Sequence, residues 1–103
     1  MNEIENLRNQ LRSFAAERDW DQFHSPKNLA SALSVEAAEL LEHFQWLTEE
    51  QSRKLDASKR EAVGQEIADV LLYLLQLADK LGLDVLQEAQ KKLVVNAVKH
   101  PAL

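Results

Sequence analysis

The sequence predicts an all-α fold, and two observations carry that expectation. Apolar residues recur at helical spacing along most of the chain, and helix breakers are scarce, with two Gly and two Pro in 103 residues. The β-branched residues do not alternate with polar ones, as a half-buried strand would require. The length fits one domain over residues 1–103, arranged as a four-helix bundle. A chain this short buries only a little over ~60% of its unfolded surface, so association with further copies would help it.

The first helix is predicted from about Glu3 to Arg18, where Ile4, Leu7, Leu11, Phe14 and Ala15 share one face. Asp19–His24 reads as a loop rich in aromatics and acids. Ser25-Pro26 marks a helix start, with the hydroxyl as N-cap and Pro at a position whose missing N–H costs nothing. That second helix is expected to run to Leu47. Thr48 and Gln51 match a capping box for a short helix or turn, and Gln51–Lys59 reads as a mobile connection. A third long helix is expected from about Ser58 to Leu81, stopped by Gly82 in the left-handed conformation. Asp84 with Gln87 forms a second capping box, opening a last helix from Val85 to about Lys99, which Pro101 closes.

The formal charge of −5, from 17 acids against 12 bases, argues against a broad nucleic-acid footprint. The absence of Cys excludes a disulfide framework, a thiolate nucleophile and a zinc-thiolate site, and makes the cytoplasm the expected compartment. No apolar run reaches the ~18 residues of a membrane span, and Met1–Arg12 is too polar for a signal peptide.

The second and third helices depart from ordinary amphipathic patterning. On a wheel with Leu29 at zero, Leu33, Leu40, Phe44 and Leu47 fall between about 0° and 60°, and Glu36 lands near 340°, inside that arc. Glu39 lies at the arc's edge, while Glu42 faces away from it. The third helix is apolar around most of its circumference, leaving a narrow stripe of Glu66, Asp69, Tyr73 and Gln76. Such a helix needs cover from its own bundle and from another subunit, so the chain is expected to form a dimer or a larger oligomer.

One pair of acids three apart on a helix is usually a solvated edge. Two such pairs, Glu36/Glu39 and Glu66/Asp69, on successive long helices and each within apolar sequence, are harder to explain by solubility. Buried unpaired carboxylates repel one another and resist ionisation, so they call for a cation. Carboxylates without thiolate or a Glu-x-x-His motif suit Mg²⁺ or Mn²⁺ over iron, and such ions commonly serve phosphate-bearing substrates. Two rival readings are a non-catalytic helical interaction module and a carboxylate-bridged redox-metal bundle. Trp20, Trp46 and Tyr73 each read as core aromatics, but Trp46, on the Glu39 side of the second helix, and Tyr73, one turn beyond Asp69, adjoin the acids and suit stacking on a nucleobase. Lys92, Asn96 and Lys99 share one side of the last helix, where spacing alone favours a solvated basic face and phosphate contact is the functional alternative. His24 reads as a surface residue or loop anchor.

RDWDQFHSPKNLA, the Glu36/Glu39 and Glu66/Asp69 pairs and the KxxxNxxKxP run from Lys92 to Pro101 resemble the MazG-like all-α nucleoside triphosphate pyrophosphohydrolases, and within them the small dCTP pyrophosphatases. The resemblance spans about Phe14 to Pro101, with its motifs in order. It implies an oligomeric helical bundle with sites shared between subunits, Mg²⁺ held by Glu36, Glu39, Glu66 and Asp69, and hydrolysis of an NTP or dNTP to the monophosphate and pyrophosphate. It further implies a base pocket of Trp20, Trp46 and Tyr73, and phosphate or base contacts from Lys92, Asn96 and Lys99. Glu36 and Glu39 are the candidate catalytic bases. His100 stands where the family pattern usually has Tyr.

Overall fold

The structure, a computed structural model, describes residues 2–103. Five α-helices follow one another: α1 (Glu3–Glu17), α2 (Pro26–Glu42), α3 (Glu49–Ser52), α4 (Ala57–Lys80) and α5 (Val85–Lys99), with a 3-10 turn at Asp21–Phe23. The expected all-α class is thus observed, and no strand occurs among the described residues.

The helix starts follow side-chain capping. Asn2, Ser25, Thr48, Asp56 and Asp84 each accept a hydrogen bond from the backbone N–H three residues on, satisfying a donor that the first turn leaves free. At Thr48 the expected capping box is complete, because the Gln51 side chain also accepts from the Thr48 N–H. At Asp84 the forward half is made, with Gln87 N–H donating at 2.9 Å.

Two helices end in the same way. At α1 the N–H groups of Asp19 and Trp20 donate back to Ala16 and Ala15; at α4 those of Gly82 and Leu83 donate to Asp79 and Ala78. Both closures put one residue in the left-handed region, Asp19 at φ 56° and Gly82 at φ 68°.

α2 stops at Glu42, short of the expected Leu47. Past it the amides of His43, Phe44 and Leu47 bond three residues back in place of four, so the winding tightens and runs out in turns. The short helix expected at Thr48 is α3, and of the stretch Gln51–Lys59, expected to be a mobile connection, only Arg53–Asp56 lies outside a helix, because Asp56 starts α4 at Ala57.

α2 and α4 form the principal packed pair, and α1 lies against α4. The buried core is small: Ala15 from α1, Leu29 from α2, and Val63, Leu75 and Ala78 from α4. Arg12 ties α1 to α4 through two hydrogen bonds to Asp79, the Nε one at 2.8 Å. The guanidinium holds the Asp79 carboxyl below its ordinary range.

α5 packs little against the rest, and the chain's radius of gyration of 16.5 Å exceeds the roughly 13 Å of a compact domain this long. Leu93, Val94, Val95 and Val98 on α5, with Ile67, Leu71 and Leu74 on α4, are exposed. No helix among the described residues is long and apolar enough to cross a membrane.

Candidate functional site

The packing of α2 on α4 brings three of the predicted acids together. Glu36 and Glu39, one turn apart on α2, meet Glu66 on α4, and one carboxylate oxygen from each lies within 4.8 Å of the other two. All three side chains are half-buried. The Oε2 atoms of Glu36 and Glu66 are buried without a hydrogen-bond partner, an expensive state for an anionic oxygen. The close Glu66 carboxyl, together with burial and the nearby Glu39 charge, pushes the Glu36 carboxyl up to about 7.

This donor set fits a hard divalent cation. It offers only carboxylate oxygens, it is already drawn to one point, and a 2+ ion would satisfy the orphaned oxygens while removing their repulsion. The absence of thiolate and imidazole from the trio disfavours softer metals.

Asp69, one turn beyond Glu66, is exposed and stands outside the trio. It lines a neighbouring cleft of about 530 Å³ between α1, the 3-10 turn and α4, together with Phe14, Trp20, His24, Tyr73 and Gln76. The α1 closure sets one wall, since the left-handed Asp19 turns the chain so that the Trp20 ring meets Phe14 edge-on at 5.6 Å. The Arg18 guanidinium sits 3.5 Å from the Phe14 ring centroid and braces the pair from outside. His24 lies 6.3 Å from Trp20, ring to ring.

Of the predicted aromatics, Trp20 and Tyr73 therefore share the cleft. Trp46 does not: it follows the early end of α2 and is 86% exposed. Lys92, Asn96 and Lys99 lie on α5, which packs little against the carboxylate helices. Sequence reasoning passed over His24 as a loop residue and gave Gln76 no role, although Gln76 already stood in the polar stripe of the third helix.

An all-α bundle here sets convergent carboxylates, a donor set for a hard divalent cation, beside an aromatic cleft. The MazG-like family model matches residues 31–103, and the chain belongs to that family. Human dCTP pyrophosphatase 1 is 42% identical over 96% of this chain, and the mouse protein of the same name is 41% identical over 95%. In both cases the match covers 59% of the relative, so the chain spans about three fifths of the length of these curated relatives. The crystal structure of a pyrophosphatase from Archaeoglobus fulgidus superposes with a TM-score of 0.92 at 38% identity, covering 99% of this chain and 95% of that one.

Proposed function

We propose that this chain is a divalent-metal-dependent nucleoside triphosphate pyrophosphohydrolase, preferring dCTP and releasing dCMP and pyrophosphate, with a role in cleaning the nucleotide pool. The observation that carries the reading is the pair of buried, unpartnered oxygens on Glu36 and Glu66 converging with Glu39, one helical turn from an aromatic cleft. Its relatives' names and the pyrophosphatase of the same fold support it.

In this reading Glu36, Glu39 and Glu66 hold Mg²⁺, or Mn²⁺ in its place, and Asp69 joins them from the mouth of the cleft. The chemistry such an ion supplies is neutralisation of phosphate oxygens and of the charge that develops on pyrophosphate. Trp20 and Tyr73 stack on the base and set the α-phosphate beside the carboxylates. Whichever of Glu36 and Glu39 is free of direct metal contact takes the proton of the water that attacks the α-phosphorus, and the bond to the bridging α–β oxygen breaks. Trp46 and the α5 residues Lys92, Asn96 and Lys99 join the site in the assembled homodimer or homotetramer, Trp46 on the base and the lysines on the outer phosphates.

Incubation with each dNTP and Mg²⁺, followed by ion-exchange separation of the products, tests the proposal. dCTP should yield dCMP and pyrophosphate; orthophosphate as first product would refute the cleavage position. Asp69→Asn should lower turnover about 100-fold or more with the melting temperature unchanged, since Asp69 is exposed and outside the core. Near-normal turnover in that variant would remove Asp69 from the site.

A further inference from the structure

Gln76 lies one turn beyond Tyr73 on α4, half-buried, and lines both the aromatic cleft and the adjoining cavity beside Arg12 and Asp79. Its Oε1 is buried and has no hydrogen-bond partner, the one neutral side-chain atom among the described residues in that state. A helix that needed only packing here would be served by Leu, as at Leu72 and Leu75 on the same helix. An amide carbonyl shut away from water without a donor is costly, so the site gains whenever a ligand supplies one. The terminal torsion of Gln is broad, which lets the amide turn into the cleft when a partner arrives.

The cleft's other walls limit what that partner is. Phe14, Trp20 and Tyr73 present ring faces and edges, which hold a flat heterocycle but accept any base. Base identity must then come from a polar group at the heterocycle's rim. An amide offers one acceptor beside one donor, and cytosine offers the reverse pair, its N4 amino group beside ring N3. We propose that Gln76 reads the cytosine edge, its Oε1 accepting from the N4 amino group and its Nε2 donating to N3, so that this residue favours a pyrimidine carrying the amino group over one without it. The assignment rests on the nucleotide reading of the same cleft and adds the residue that discriminates within it.

The test is a cycle in which the hydrogen bond is deleted from either side. Wild type and Gln76→Leu are compared on dCTP and on the 2-pyrimidinone deoxynucleoside triphosphate, which lacks the N4 amino group. Wild type should favour dCTP by about 10-fold or more in kcat/KM, and Gln76→Leu should shrink that gap to less than about 3-fold. Gln76→Met, of similar length, repeats the comparison should the Leu variant fail to fold, as judged by thermal melting. A gap that persists in the variants overturns the role of Gln76 while leaving the reaction in place. Should wild type hydrolyse no nucleotide, the reaction fails instead, and tryptophan quenching by dCMP against its 2-pyrimidinone counterpart makes the same comparison by binding. Selective binding that Gln76→Leu abolishes then upholds the role of Gln76. Equal or undetectable binding refutes it.

Discussion

Glu36 couples the chemistry of the acidic trio to the protein's stability. Without metal its carboxyl holds a proton up to about pH 7 in the folded chain, whereas the unfolded chain releases it near its ordinary value of 4.5. Between those values the folded state binds more protons, so its stability falls as pH rises, and the contribution is gone above about 7. Asp79, whose carboxyl is held low by Arg12, acts in the opposite sense and only in more acid solution. The EDTA-treated protein should therefore show a melting temperature that declines from about pH 5 to about pH 7.5, and Glu36→Gln should flatten that decline. A flat profile in the wild-type chain would mean that Glu36 holds no such proton. Magnesium at pH 7.5 should raise the melting temperature of the wild type by mass action. At the core the sign is simpler: Leu29, 1% exposed, leaves a cavity when cut to Ala, and urea unfolding should report a loss of about 3 kcal/mol.

At the level of elements, the two left-handed helix closures show what the sequence made legible and what it hid. Gly82 announces its conformation in the sequence itself, because Gly enters the left-handed region without penalty. Asp19 adopts the same geometry at the end of α1 with no such signal, and the turn it makes places Trp20 at the cleft. A Cβ built at Gly82 meets nothing within 4 Å, so Gly82→Ala should cost only the conformational term, about 1–2 kcal/mol by denaturant unfolding. The Glu36/Glu39/Glu66 meeting was legible because helical periodicity fixes which acids face inward. The end of α2 was not, since Phe44 and Leu47 continue the apolar rhythm of the helix after its hydrogen bonds have tightened. Thr48 and its capping box mark where a new helix claims the backbone, and Trp46 is stranded between the two.

The molecule as a whole exposes more surface than a self-sufficient domain should. A folded monomer of 11.7 kDa is expected to show roughly 5,900 Å², and this chain shows 7955 Å². The excess is on the order of the area buried by permanent subunit interfaces. Part of it lies along two helices, because Ile67, Leu71 and Leu74 on α4 and Leu93, Val94 and Val98 on α5 are exposed. Periodicity alone had already marked α4 as too apolar for one bundle, but it could not show that α5 would stand clear of the core. The same separation leaves Lys92, Asn96 and Lys99 apart from the carboxylates within one chain, so assembly and catalysis are expected to fail together. Val98, 79% exposed, is the sharpest probe of this coupling. In a lone chain Val98→Asp would place a charge in water at almost no cost to stability. In an oligomer it would bury an unpaired carboxylate in an apolar interface. Sedimentation at low micromolar concentration should show the wild type as a dimer or larger and Val98→Asp as a monomer, with hydrolysis lost even though every proposed metal ligand is intact. A wild-type monomer that turns over dCTP would show instead that the exposed faces of α4 and α5 serve no copy of this chain.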